Sequence, residues 1–140
     1  MKSKAPLALM EQILMVLVFA LAAGLCLQVF VFSGQVMRRC EAQDRAVLEV
    51  QNTAEVWKMN RGDPQKCEQM LGGAWDADTW QIGYDAQWQE THGTEVQYLV
   101  CAVPVATDDT LLGAADIFAQ TVNGDCLFQL RVAWQEAKDE

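Results

Sequence analysis

The hydrophobic pattern of this 140-residue chain changes period twice, and each change marks a different kind of element. Gln12 to Phe32 is a run of 21 residues without a charge. As a helix rising about 1.5 Å per residue, it covers the roughly 30 Å hydrocarbon core of a bilayer. A helix also satisfies its own backbone polar groups there, which irregular chain cannot do. From Val36 the apolar positions fall into a stripe. Val36, Cys40, Gln43, Val47, Val50, Ala54 and Trp57 step by four and three, and six of the seven are apolar. That spacing predicts one buried face of an amphipathic helix, continuous with the apolar run and reaching about Met59. Gly34 is the place where it can bend. On the wet side, Glu41, Arg45 and Glu49 fall at i,i+4 and can pair in order.

A short helix over residues 64–71 is predicted next, with Asp63 as N-cap, Pro64 in the first turn and Gly72-Gly73 as its stop. The period then becomes two. Trp80, Ile82 and Tyr84 alternate with Thr79, Gln81 and Gly83, and Asp85-Ala86 turns the chain into Gln87 to Glu90. Val96 to Val105 reads as a strand with Pro104 near its end. Ala115, Ile117 and Ala119 alternate with Asp116, Phe118 and Gln120. Asn123-Gly124 is a strong hairpin signal leading into Phe128, Leu130, Val132 and Trp134. About four antiparallel strands between residues 79 and 134 leave one apolar face needing cover, and the stripe from Val36 to Trp57 needs the same. The fold class expected is α+β: a long N-terminal helix, half membrane-spanning and half amphipathic, packed on a roughly four-stranded antiparallel sheet. A coiled-coil seam is the other reading of the stripe, but three heptads with Gln43 in the seam support it poorly.

The resulting organisation is a short basic tail at 1–6, a transmembrane helix at 7–34 and an external domain at 35–140, with its amphipathic helix at about 35–59. A cleavable signal is the rival for the first segment, with Lys2 and Lys4 before it and Ala20-Leu21-Ala22 as a cleavage-like site. The apolar stretch runs past the usual 7 to 15 residues of such a signal, and Leu25 before Cys26 does not suit lipid modification. Basic residues flank the span on both sides (Lys2 and Lys4 before it, Arg38, Arg39 and Arg45 after), so the positive-inside rule alone gives no orientation. The short tail and acidic remainder favour a cytoplasmic N-terminus and an extracytoplasmic C-terminal domain in the cell membrane.

Charge removes one class of function. From Cys40 to Glu140 there are 18 acidic residues against 6 Lys or Arg, and the chain's net charge is −9. Such a domain repels phosphate backbones, so nucleic acid is not an expected partner. The five cysteines, Cys26, Cys40, Cys67, Cys101 and Cys126, form no CxxC pair. Cys67, Cys101 and Cys126 can supply one external disulfide or stay as buried thiols, and spacing does not choose. The single histidine, His92, excludes a multi-His metal site, and no spacing pairs it with Cys101 or Cys126 for thiol catalysis. Asp76 with Asp78, and Asp108 with Asp109, lack a full calcium-loop pattern. The five tryptophans read as core and sheet packing more readily than as a carbohydrate or protein contact surface. No catalytic, cofactor-binding or metal-binding residue is expected, and the chain reads as a non-enzyme.

Leu7-Ala8-Leu9-Met10-Glu11, followed by Gln12-Ile13-Leu14-Met15-Val16-Leu17, resembles the opening of type IV pilins and of type II secretion pseudopilins. In that family a basic leader ending in Gly precedes a Phe-Thr-Leu-Ile-Glu-like segment, and an antiparallel sheet lies on the second half of the helix. The resemblance implies that Glu11 pairs with the N-terminal amine of a neighbouring subunit during filament assembly. A carboxylate at the edge of hydrocarbon is costly unless paired, which gives that pairing a physical basis; reaching water at the headgroups is the alternative. Pro6 stands where the family has Gly, so Pro6 and Leu7 mark an atypical processing site. Cut before Leu7, the chain gains a free amine for Glu11 to meet; uncut, it is a membrane-retained relative or an accessory subunit. The expected function is a structural subunit of a type IV pilus or type II secretion-like assembly. Its partners would be membrane lipid and other pilin-like subunits or an assembly platform. The alternative is a bitopic anchored protein whose external domain binds a ligand or partner without a filament role.

Overall fold

A computed structural model describes residues 5–136. Lys2 and Lys4 lie outside the described residues. The elements are α1 (Ala5–Met59), α2 (Pro64–Leu71), β1 (Ala74–Asp76), β2 (Thr79–Tyr84), a 3-10 turn (Gly93–Glu95), β3 (Tyr98–Val105), β4 (Leu112–Thr121) and β5 (Cys126–Gln135). The fold is α+β, as the alternation of periods implies. The chain divides into two compact units, one ending at Cys40 and the other beginning at Glu41.

The described residues of the first unit are helix alone. The helix runs unbroken through Gly24 and Gly34, and apolar side chains from Leu7 to Phe32 stand exposed on every side. The helix is long and apolar enough to cross a membrane.

The second unit is an open antiparallel meander in the order β1-β2-β3-β4-β5, with residues 41–59 of α1 packed on one face. Five strands are present where about four are expected. The additional strand, β1, is three residues long and only Trp75 in it is half-buried, so it has no alternation to read. Gln87 to Glu90 is not a strand. Asp85 Oδ1 accepts from the backbone N–H of Gln87 at 2.8 Å and of Gln89 at 2.9 Å, and this carboxylate-bonded turn leaves one isolated bridge, Tyr84 to Glu90.

Register explains the core. Trp80 pairs with Ala102, which pairs with Ile117, which pairs with Leu130; one step along, Ile82, Val100, Ala119 and Phe128 line up in the same way. These rows face α1, which contributes Ala46, Val50, Ala54 and Trp57. Alanine at Ala46, Ala54, Ala102, Ala115 and Ala119 lets helix and sheet close around the tryptophans, large residues meeting small ones.

The buried stripe is shorter than its sequence period. Val36 is 44% exposed, and Cys40 and Gln43 are exposed as well; burial begins at Ala46 and includes Thr53, which the apolar pattern passes over. The earlier positions share the period, but the sheet lies on the later turns. The expected Glu41–Arg45–Glu49 pairing is not formed, and Glu49 accepts a hydrogen bond from Tyr84 on the sheet.

Candidate functional site

Three places in the molecule stand out: the apolar first part of α1 and the aromatic groups at the two ends of the contact between α1 and the sheet. Each is built from different residues.

Pro6 and Leu7 fall in the first turn of α1, where a missing N–H costs nothing because that donor has no partner within the helix. Glu11 follows one turn later and is exposed, as are Leu7 at 71% and Met10 at 73%. A carboxylate therefore stands at the border of the uncharged run from Gln12 to Phe32. The apolar side chains of that run are exposed around the helix. An apolar surface of this extent is stable in lipid or against other helices.

At the other end of α1, the Trp57 ring stands 5.9 Å from Trp75 and 6.2 Å from Trp134, at interplanar angles of 46° and 52°. Trp75 belongs to one edge strand and Trp134 to the other, so both sheet edges reach the same helix residue. The tilted geometry is the one aromatic quadrupoles favour. Trp134 is held tightly: a Cβ added at Gly62 would sit 2.2 Å from its Cζ2 and one at Gly113 2.3 Å from its Nε1. A fourth indole, Trp80, donates to the Gly72 carbonyl at 3.0 Å, tying α2's end to β2. Asp63 caps the other end of α2, accepting from the Gln65 and Lys66 N–H groups. Those hydrogen bonds, the one from Lys66 foremost, hold its carboxyl below the usual range.

A second aromatic group closes the opposite end of the helix–sheet contact. Tyr84 donates its hydroxyl to Glu49 Oε2 at 3.2 Å, Trp88 stacks flat on Tyr98 at 4.4 Å and 9°, and Tyr84 lies 5.7 Å from Trp88. Burial, and then the carboxylates of Glu49 and Glu90, push the Tyr84 phenol well above its ordinary pKa. Trp88 adopts φ 57°, a left-handed conformation that a bulky residue rarely takes. The stack on Tyr98 accompanies that strain. The five tryptophans thus divide into core and seam.

The remaining candidates are dispersed. Cys67 and Cys101 are buried free thiols, both pushed up to about 11, chiefly by burial, and Cys126 is an exposed free thiol. His92 is exposed ahead of the 3-10 turn, whereas Cys101 is buried within β3. Asp109 Oδ1 accepts from the Leu111 N–H at 2.9 Å, and Thr107 donates to the carbonyls of Asp109 and Leu112, so Asp109 is occupied in shaping a turn. On the sheet face away from α1, Arg131 binds Asp116 through two parallel bonds of 2.6 and 2.7 Å. That fork holds the Asp116 carboxyl below its ordinary range.

Sequence reasoning did not single out the Glu49–Tyr84 bond, the Trp57–Trp75–Trp134 group or the Arg131–Asp116 fork. The last had a readable signal, since opposite charges sit on adjacent strands joined by the Asn123-Gly124 turn. No family model matches this chain, and no curated protein or solved structure matches it.

Proposed function

We propose that this chain is a structural subunit, pilin-like or minor pseudopilin-like, of a type IV pilus or type II secretion-like assembly. The observation that carries this reading is the division of one helix into two uses. Its first part exposes apolar side chains all round, with Glu11 at the border, while residues 46–57 are one-sided and seal a sheet. An apolar rod of this kind is suited to packing beside other such rods within the membrane. The domain it carries is then displayed on the far side, extracytoplasmic if the N-terminus is cytoplasmic. Glu11, paired with the amine of a neighbouring subunit processed at Leu7, fixes the register between helices.

Pro6 favours a second reading, in which the chain remains uncut and serves as a bitopic anchor for a partner-binding domain. Intact-mass measurement of the membrane-extracted protein separates the two. A chain beginning at Leu7, whose co-purifying partners are lost on Glu11→Ala, supports the subunit. A chain beginning at Met1, with partners unchanged by Glu11→Ala, removes that reading and leaves the anchor.

A further inference from the structure

The free edge of β5 has the form of a strand-addition site. Among the described residues β5, a ten-residue strand, pairs only with β4 and ends the sheet. The phase of its hydrogen bonding follows from one contact beyond the strand. The Glu136 N–H donates to the Leu111 carbonyl at 2.9 Å, and the register continues as Gly113 with Trp134, Ala115 with Val132, Ile117 with Leu130 and Ala119 with Phe128. In an antiparallel ladder alternate residues turn both backbone groups to the same neighbour. The even-numbered residues from Phe128 to Glu136 therefore bond to β4. Gln129, Arg131, Ala133 and Gln135 turn their N–H and C=O groups outward.

Those four donors and four acceptors meet no backbone or side-chain partner among the described residues. Protein sheets ordinarily protect such an edge with proline, lysine, a bulge or a short strand. Between Cys126 and Gln135 there is neither Pro nor Lys, and the register shift is confined to the Ala119/Gln120 level at the strand's start. The opposite edge, β1, is by contrast three residues long. Core packing does not oppose an added strand either: Leu130, Val132 and Trp134 face α1, while Gln129, Arg131, Ala133 and Gln135 are exposed on the other face.

Charge selects the occupant. Asp125 stands at one end of the edge. At the other stands Glu136, bonded to the turn that carries Asp108 and Asp109. The one cation along the strand, Arg131, is already held by Asp116. A second copy of this chain would set the Asp125 end of one β5 against the Glu136 end of the other, between domains that are each acidic, so it is disfavoured. We infer that the β5 edge takes up, as a sixth strand, an extended segment of a partner protein with lysine or arginine at its ends. Backbone pairing supplies the grip and the end charges supply the choice. This inference stands whether the chain assembles as a filament or acts as an anchor.

The test uses the full chain in detergent micelles and a synthetic peptide of alternating Thr and Val with two Lys at each end. Backbone hydrogen exchange is followed residue by residue. Alone, the Gln129, Arg131, Ala133 and Gln135 amides exchange freely, while those of Leu130, Val132 and Trp134 are protected. With the peptide, the first four slow at least tenfold. Ala133→Pro removes an outward N–H without removing a bond to β4, so its thermal melt stays that of the parent while peptide affinity falls about tenfold. Gln135→Pro serves the same purpose should Ala133→Pro misfold. The inference is overturned if the peptide does not bind, if it binds without slowing those four amides, or if the proline variants bind it equally. An equal affinity for a peptide with Glu ends, or protection that rises with protein concentration alone, overturns the choice of occupant.

Discussion

The rings of Trp57 and Trp134 stand 6.2 Å apart, one in the last turns of α1 and the other near the end of β5. Because Trp75 meets Trp57 from the opposite edge of the sheet, a single helix residue joins the first strand to the last. Trp57 is 1% exposed. Truncating a buried tryptophan of this kind costs about 3–5 kcal/mol. Trp57→Ala should accordingly lower the thermal midpoint of the full chain steeply and erase its near-UV circular dichroism. Trp57→Phe should do so only in part. An unchanged melt for Trp57→Ala would show that the helix does not hold the sheet.

Gly62 makes the same contact sensitive from another side. Its φ of 71° disfavours any side chain, and a Cβ there would lie 2.2 Å from the Trp134 ring. Gly62→Ala should therefore destabilise by about 1–3 kcal/mol, since strain and overpacking act together. Gly24, with nothing within 4 Å of its would-be Cβ, is the internal comparison: Gly24→Ala should leave the denaturation midpoint of the domain in place.

Alkali should loosen the contact between Glu49 and Tyr84. Below about pH 10 the phenol keeps its proton in both the folded and the unfolded chain. Above that the unfolded chain releases it, whereas burial and the neighbouring carboxylates retain it in the folded chain. The unfolded state then binds fewer protons, so stability declines as pH rises from about 10 through the higher folded value. Tyr84→Phe should cost about 1 kcal/mol at neutral pH through the lost hydrogen bond and flatten that alkaline decline. Denaturation midpoints measured from pH 7 to 11 on both proteins check this.

The thiols offer a solvent-side test of burial. With pKa values near 11, Cys67 and Cys101 are about one part in a thousand thiolate at pH 8, and burial denies reagents access to them. Native labelling with a water-soluble maleimide should modify the exposed Cys40 and Cys126, with Cys67 and Cys101 reacting only after denaturation. Peptide mass mapping reads the outcome; rapid native labelling of Cys101 would contradict the packing of β3.

These particulars show what a sequence carries and where it stops. The α+β class and the covering of the sheet by the helix were legible because burial imposes a period of 3.6 on Ala46 to Trp57 and of two on the strands. The stripe's true start was not, since Val36, Cys40 and Gln43 share the period while only tertiary contact decides which turns are covered. Trp75 gave no strand signal in a three-residue edge, and Asp85 turned Gln87 to Glu90 away from strand by accepting from the N–H groups of Gln87 and Gln89. Glu49 matched a helical ion-pair pattern but found Tyr84, a partner thirty-five residues away that no local rule reveals. Of the candidate functional residues, Glu11 could be placed on the border of the apolar run from sequence alone, whereas the open edge of β5 required the sheet order.

Crosslinking the chain within its native membranes tests the proposed assembly most directly, with the parent compared against Glu11→Ala. A ladder of species containing this chain, collapsing to the single-chain band on Glu11→Ala, is the expected result. A lone single-chain band from the parent, or the same ladder from both proteins, would contradict it.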